Sequence, residues 1–99
     1  MDEFASTYSA LVGRIREKSP DAALVCVGVW PDYGQDYDAE IETACHDRQG
    51  SFVPIRDLWS TEGMRGPAGV PTPHGESDTF HPNDAGHRAI ADRILNSIR

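Results

Sequence analysis

A nine-residue apolar run, Ala22–Trp30, constrains the fold of this chain more than any other feature of its sequence. Polar residues do not alternate with apolar ones along it, which is typical of a strand buried on both faces of a parallel sheet. Segments with helical periodicity precede and follow the run. Because parallel strands need crossover connections that are usually helices, the chain is predicted to have an α/β fold.

Three segments carry apolar residues at the spacing of an amphipathic helix. These residues are Phe4, Tyr8, Leu11, Val12 and Ile15 in the first segment, Ile41, Ala44 and Cys45 in the second, and Ile90, Ala91, Ile94, Leu95 and Ile98 in the third. Pro20 ends the first helix, and the second stops near Gly50. Asp36 or Asp38 is expected to cap the second helix, and Asn83 to cap the third.

The second strand is predicted over Ser51–Trp59, and it contains Pro54. Proline has no N–H to donate to a neighbouring strand, so this strand is expected at an edge of the sheet. The element order is then helix, strand, helix, strand, helix, with two parallel strands. One edge of the first strand remains unpaired in such a sheet. We expect strands from another polypeptide, a second copy of this chain or an N-terminal half to cover it.

The charge balance excludes two classes of partner. The chain has 9 Lys and Arg residues against 16 Asp and Glu residues, a formal charge of −7. Nucleic acids and anionic membrane surfaces both attract clustered basic residues, which this sequence lacks. No apolar run approaches the roughly 20 residues that a membrane-spanning helix needs. We therefore expect no nucleic acid as partner and no membrane span.

The N-terminal residues lack the basic and apolar regions of a signal peptide. As it stands the chain is expected in the cytoplasm, and in a secreted protein if an upstream segment carries the signal. Its 99 residues allow a single domain or half of a larger one. Residues 60–77 form a long Gly- and Pro-rich loop, and loops of this length are more often functional than simple links.

The segment Asp78–His87 carries the residues best suited to chemistry. Asp78 and His81 stand three positions apart in a turn before the last helix, so the carboxylate can accept a hydrogen bond from the imidazole Nδ1–H. That bond fixes the tautomer of the histidine and leaves Nε2 to take a proton from a nucleophile. His87 shares a helix face with Ile90 by spacing, and it is expected to pack the start of the helix against the sheet.

The sequence Asp-Thr-Phe-His-Pro-Asn at positions 78–83, followed by Gly86-His87 and an amphipathic helix, closely resembles the last conserved block of the SGNH (GDSL-type) serine ester hydrolases. Those enzymes are flavodoxin-like, three-layer α/β/α proteins with a five-stranded parallel sheet. The resemblance implies that residues 1–99 are the C-terminal half of such a domain, with 60–77 as an active-site loop. It also implies that His81 is the general base and then the general acid of acyl transfer, and that Asp78 orients it.

The chain departs from the family pattern at the nucleophile. The family's serine lies in a Gly-Asp-Ser block, and its oxyanion hole uses that serine's N–H, a glycine and the asparagine of a Gly-x-Asn-Asp block. None of these blocks occurs here. Ser77 directly precedes Asp78 and would normally point away from Nε2 of His81. Ser60 directly follows the second strand, at the sheet edge where such sites form, but neither serine is expected to replace the nucleophile. The nucleophile and the oxyanion hole are therefore expected from outside this chain.

Trp30 ends the first predicted strand, with Tyr33 shortly after it, and Trp59 ends the second. Because ligands of open α/β sheets bind at these carboxyl ends, Trp30 and Tyr33 are candidates for binding the substrate. The resemblance implies that this substrate is an ester, such as an acylated sugar or a lipid. Core packing is the expected role of Trp59, and no cofactor is expected.

Two groups have the residue types of a metal site without its spacing. The first is His74, Asp78, His81 and His87, and the second is Asp32, Asp36, Asp38, Glu40 and Glu42. The first matches no zinc pattern, and the second lacks the spacing of an EF-hand. We interpret the acidic residues as a solvated loop and helix N-terminus, and we expect no metal.

Cys26 and Cys45 are too few for a disulfide framework, and neither belongs to a Cys-x-x-Cys pair. Cysteine is among the residues most often found in protein cores. We therefore expect two free, buried thiols.

Two functional hypotheses follow from these patterns. The first is an ester hydrolase to which this chain contributes the histidine base and its aspartate. The alternative is a catalytically inactive self-association or interaction module that retains half of the hydrolase fold. It would use the unpaired edge of the first strand to associate.

Overall fold

The computed structural model describes residues 1–98. Its helices are α1 (Asp2–Lys18), α2 (Gln35–His46), α3 (Arg56–Trp59) and α4 (Asp84–Ser97). Its strands are β1 (Val25–Val27), β2 (Ser51–Val53), β3 (Pro71–Thr72) and β4 (Gly75–Glu76). β1 and β2 pair in parallel, and β3 and β4 form an antiparallel hairpin. The parallel pair and its surrounding helices confirm the α/β class.

The core lies where α2 crosses the parallel strands. α2 packs against both β1 and β2, α1 packs against α2, and α4 packs against β2 and α3. The buried apolar residues are Val12, Cys26, Ile41, Ala44, Cys45, Val53, Ile55 and Leu58. The apolar faces predicted for the first two helices therefore point inward at Val12, Ile41, Ala44 and Cys45.

Both parallel strands are shorter than predicted. β1 occupies only Val25–Val27 of the apolar run, and β2 ends at Val53, directly before Pro54. After the proline the backbone turns, and the N–H of Leu58 donates to the carbonyl of Ile55 at 3.0 Å. Residues predicted as the second half of the strand form α3 instead, because proline cannot continue the hydrogen-bond ladder.

The predicted cap of α2 is wrong, since the N-cap residue is Gly34 and neither Asp36 nor Asp38 caps the helix. Asp38 is buried one turn further along. Its Oδ1 accepts from the N–H of Val29 at 2.8 Å, and its Oδ2 lies 2.6 Å from Nε of Arg56. The interpretation as a solvated acidic group is therefore also wrong for Asp38, whose two partners compensate its burial.

Cys26 in β1 and Cys45 in α2 form a disulfide, so the expectation of free thiols is wrong. Their Cα atoms are 6.2 Å apart, within the range that a disulfide spans. Both cysteines are buried and form a cluster with Ile41. The packing of α2 on β1 brings together two residues that are 19 positions apart in the sequence.

One edge of β1 is unpaired, since among residues 1–98 its only hydrogen-bonded neighbour is β2. Several large apolar side chains are exposed as well: Leu11, Ile15, Val70, Leu95 and Ile98. The apolar face predicted for the last helix is therefore only partly covered. In the described part of the chain, no helix combines the length and apolar character needed to cross a membrane.

Candidate active site

Asp78 and His81 face each other in the turn that leads into α4. Nδ1 of His81 lies 2.7 Å from Oδ2 of Asp78. The other carboxylate oxygen, Oδ1, accepts hydrogen bonds from the backbone N–H of Phe80 at 2.9 Å and of His81 at 2.8 Å. A carboxylate that opens a turn reaches the amides two and three positions later, which is why this spacing brings the pair together.

These hydrogen bonds lower the pKa of Asp78 from its ordinary 3.8 to about 2. The largest cause is the backbone N–H of His81, followed by the imidazole of His81 and then the N–H of Phe80. The carboxylate is therefore ionised throughout the pH range in which imidazoles titrate. In that state it favours a proton on Nδ1 of His81.

The imidazole of His81 is accessible to solvent. Its side chain is 73% exposed and that of Asp78 is 50% exposed. No residue from 1 to 98 forms a hydrogen bond with Nε2 of His81. An imidazole that is oriented through Nδ1 and open at Nε2 can accept a proton from a hydroxyl placed next to it.

Asn83 connects the turn to α4 and to the preceding loop. Its Oδ1 accepts from the N–H of Gly86 at 2.9 Å, which confirms the predicted cap. Its Nδ2 donates to the carbonyls of Gly63 and Gly66, both at 2.9 Å. At Gly86 a Cβ atom would collide with the carbonyl oxygen of Met64, so only glycine allows α4 to begin this close to the loop.

The aromatic residues form a cluster beside His81. The ring of Trp59 lies edge-to-face with the rings of Trp30, Tyr33 and Phe80, at centroid distances of 6.1, 6.1 and 4.9 Å. Phe80 in turn packs against the imidazole of His81 at 5.1 Å. Tyr33 is 67% exposed. Trp30 is half-buried and donates its indole N–H to the carbonyl of Phe80 at 2.7 Å.

A cleft of about 860 Å³ opens next to His81, between residues 66–77 and the first turn of α4. His87 lines this cleft and is exposed, so the prediction that it packs against the sheet is wrong. Gly86 is the residue that faces the loop, and each helical residue is rotated by about 100° from the one before it. His87 therefore lies on a neighbouring face of the helix.

Neither of the two serines considered as substitute nucleophiles is directed at His81. Ser77 donates its hydroxyl to the carbonyl of Pro67 at 2.6 Å, near the base of the β3–β4 hairpin. Ser60 donates to a carboxylate oxygen of Asp32 at 3.3 Å. Over the residues that the structure describes, no serine hydroxyl forms a hydrogen bond with the imidazole.

The residues weighed as a zinc site share the cleft without forming a metal site. No group of three His, Cys, Asp or Glu side chains in the range 1–98 is arranged to bind a metal ion. Both carboxylate oxygens of Asp78 are already engaged by His81 and the backbone of its own turn.

The ion pair of Asp38 and Arg56 was not predicted from the sequence. Arg56 also donates from Nη1 to the carbonyl of Asp32 at 2.8 Å, so the pair joins α2 to the segments that follow both parallel strands. One sequence pattern indicates its burial. Asp38 stands three positions before Ile41 and seven before Cys45, which puts it on the inner face of α2.

A sequence profile of the GDSL-like lipase/acylhydrolase family matches residues 1–89. The matched region contains β1, β2 and the turn with Asp78 and His81. Comparisons with curated proteins and with solved structures give no match.

Proposed function

This chain belongs to the GDSL-like lipase/acylhydrolase family, and on that basis we propose that it supplies the acid–base half of an ester hydrolase. Within the site we assign His81 as the general base and general acid, and Asp78 as the residue that orients it. The observation that supports these roles best is the 2.7 Å contact between Nδ1 of His81 and Asp78, on an imidazole whose Nε2 faces solvent.

The reaction we propose is acyl transfer in two steps. Nε2 of His81 takes the proton of a serine hydroxyl as the serine oxygen bonds to the ester carbonyl carbon. The imidazolium then gives that proton to the departing alcohol as its C–O bond breaks, which leaves an acyl-enzyme. Water attacks the acyl-enzyme with His81 as base, and the proton returns to the serine as the acid is released. Asp78 stays ionised and stabilises the imidazolium.

The serine and the oxyanion hole are proposed to lie on polypeptide outside these 99 residues. The sequence contains neither a Gly-Asp-Ser nor a Gly-x-Asn-Asp block. Each oxyanion donor contributes about 2.7–4 kcal/mol to transition-state stabilisation, so this chain alone should be a poor catalyst. The unpaired edge of β1 also supports such a polypeptide partner, because a further parallel strand at this edge would extend the sheet.

The proposed substrate is a carboxylic ester, such as an acylated sugar or a lipid. Tyr33 and Trp30 are its proposed contacts, because both lie in the aromatic cluster beside His81 and the ring of Tyr33 is exposed. The cleft between residues 66–77 and α4 offers space on the other side of the imidazole. No cofactor takes part in this reaction.

Labelling and complementation together test the proposal. The purified chain is treated with a fluorophosphonate, and hydrolysis of a chromogenic ester is measured with and without an N-terminal polypeptide that carries a Gly-Asp-Ser block. We expect no adduct on the chain alone and hydrolysis only in the mixture. His81→Ala should lower that rate at least about a hundredfold, since a general base contributes about 10²–10⁴. His46→Ala, an exposed histidine at the end of α2, is the matched control.

The other outcomes are equally specific. An adduct on the chain alone that disappears in His81→Ala would show that a serine of this chain is the nucleophile. A mixture in which the two polypeptides bind but no ester is hydrolysed would overturn the catalytic proposal. It would favour the interaction module, to which the unpaired edge of β1 points.

A further inference from the structure

We infer that Trp30 and Arg65 are positioning residues, which hold the backbone of the Asp78–His81 turn so that the imidazole stays on its carboxylate. This inference rests on the proposed role of His81 as the base. It assigns to the indole N–H of Trp30 a function in addition to the proposed contact with substrate, and it gives Arg65 a function that no sequence pattern indicated.

Both side chains donate to the residues that lie between the aspartate and the histidine. The indole N–H of Trp30 donates to the carbonyl of Phe80 at 2.7 Å. Nη1 of Arg65 donates to the carbonyl of Thr79 at 2.8 Å. The two carbonyls inside the turn are therefore each fixed by a residue that is distant in sequence.

The two donors are themselves connected to the parallel sheet. Trp30 stands three positions after the last residue of β1. Arg65 donates from Nε to the carbonyl of Trp59 at 2.8 Å, and its guanidinium lies 3.8 Å from the centre of the Trp59 ring. The turn is thus positioned relative to the segments that follow both strands, on the side of an open α/β sheet where ligands bind.

External support matters here because the turn is exposed. The side chain of His81 is 73% exposed, so surrounding packing does little to restrict it. The hydrogen bonds of Asp78 stabilise the conformation of the turn, but they do not fix the position of the turn relative to the sheet. Backbone displacements of about 1 Å at a catalytic group are enough to cost about a hundredfold in rate.

The chemistry of Arg65 suits this role. Among residues 1–98, Arg65 forms no ion pair, because no carboxylate lies within 4.0 Å of its guanidinium. Instead the planar fork donates to two carbonyls on different segments, those of Trp59 and Thr79. A lysine at this position would keep the positive charge, but its ammonium group would lack the planar geometry with which the guanidinium donates to both carbonyls.

Hydrogen exchange at the turn tests the inference without any need for catalysis. In the full chain, NMR would follow the Nδ1 proton of His81 and the backbone amides of Phe80 and His81. Trp30→Phe removes the indole N–H and keeps an aromatic ring. Arg65→Lys removes the planar guanidinium group and keeps the positive charge. Each should speed exchange at these three protons by about fivefold, as expected for the loss of one supporting hydrogen bond.

The controls separate a local effect from a loss of stability. Amides of β1 and β2 should exchange at the wild-type rate in both variants. Tyr37→Phe and Arg14→Lys, which change exposed side chains of α2 and α1, should leave all of these rates unchanged. Unchanged exchange at the turn in both Trp30→Phe and Arg65→Lys would overturn the inference, as would an equal acceleration in the strands.

Kinetics in the complemented mixture distinguish positioning from substrate contact. Trp30→Phe keeps an aromatic ring for the proposed substrate contact and removes only the indole N–H. Loss of positioning therefore predicts that kcat falls about fivefold with KM unchanged, whereas a raised KM with kcat unchanged would show that the substitution acts on substrate binding instead. If the wild-type mixture hydrolyses no ester, the proposed function fails, and the exchange measurement alone still decides whether Trp30 and Arg65 position the turn.

Discussion

Asp78 and Asp38 show two ways in which this chain binds a carboxylate through hydrogen bonds. Asp78 lies in an exposed turn and is bound by the amides and the imidazole of its own tetrapeptide. Asp38 is buried and is bound by the N–H of Val29 and the guanidinium of Arg56. Local hydrogen bonds serve the proposed chemistry in the first case, and partners from two other segments secure the fold in the second.

The charge state of Asp78 gives a prediction for the pH dependence of the turn. The pKa of Asp78 is lowered from 3.8 to about 2 in the folded chain. Its carboxylate therefore contributes fully to the ordering of the turn above pH 3.8, and this contribution is lost as the pH falls through about 2. A carboxyl ¹³C titration should have its midpoint near 2. In His81→Ala the midpoint should move toward 3.8, because the imidazole no longer donates, and a wild-type midpoint of 3.8 would contradict the described geometry.

Asp38 gives a prediction for stability. Asp38→Ala removes the acceptor of the Val29 N–H and the ion-pair partner of Arg56, and it should lower the free energy of unfolding by about 2–3 kcal/mol. Asp38→Asn keeps an acceptor oxygen and should cost about half as much. Asp36→Asn, an exposed change in the same helix turn, serves as the control. Urea unfolding followed by circular dichroism would measure the series, and equal stabilities for Asp36→Asn and Asp38→Ala would refute it.

At the scale of elements, the connection between β1 and α2 organises the half of the chain that precedes the site. The Cys26–Cys45 disulfide joins the two elements, and Gly50 follows α2 so closely that a Cβ there would meet the sulfur of Cys45. β1 then leads directly to Trp30 and the aromatic cluster. β1 and α2 therefore position the segment that carries Trp30, one of the two donors that contact the Asp78–His81 turn.

The disulfide predicts a redox-dependent stability. Reduction should lower the free energy of unfolding by about 3 kcal/mol, because the bond closes a loop between cysteines 19 positions apart in the unfolded chain. Iodoacetamide added under denaturing conditions should modify neither cysteine of the oxidised chain and both after reduction, as read by intact mass. The double variant Cys26→Ala/Cys45→Ala should match the stability of the reduced chain. Two alkylated thiols before reduction would show that the bond does not form.

At the scale of the whole molecule, the chain is less compact than a closed domain of its length. Its Cα radius of gyration is 15.4 Å, against about 13 Å for a compact domain of 100 residues. Its accessible surface is 6724 Å², against about 5,600 Å² expected from its mass. Together with the unpaired edge of β1, this excess surface supports the proposal that further polypeptide covers the chain.

Exposed apolar surface gives the prediction at this scale. The isolated chain should bind the dye ANS, because Leu11, Ile15 and Leu95 are about half exposed. Adding the N-terminal polypeptide with the Gly-Asp-Ser block should reduce the fluorescence and slow amide exchange in Val25–Val27. Leu95→Ser should lower the dye signal of the isolated chain, whereas the neighbouring Asn96→Ser should not. A monomer with no dye binding and full protection of β1 would contradict the proposed partner.

Several features of this protein follow from the sequence because they depend on contacts a few residues apart. The amphipathic spacing gives α1, α2 and α4, and Asn83 caps α4 through an amide three positions away. The pairing of Asp78 with His81 is of the same kind, since three residues and a turn suffice to form it. The shortening of the second strand at Pro54 could have been predicted as well, because a missing N–H ends a ladder wherever it occurs.

Only the tertiary structure decided which distant groups meet. Trp30 and Phe80 are 50 positions apart, the two cysteines 19 and the Asp38–Arg56 pair 18. Each of these contacts depends on how α2 crosses the strands and on where the loop before α4 returns to the sheet. Periodicity and spacing report the face on which a residue lies but not the partner opposite it. The sequence by itself therefore determined α1, α2 and α4, the class of fold and the Asp78–His81 turn, and the packing of the elements determined the disulfide, the buried ion pair and the donors that contact the turn.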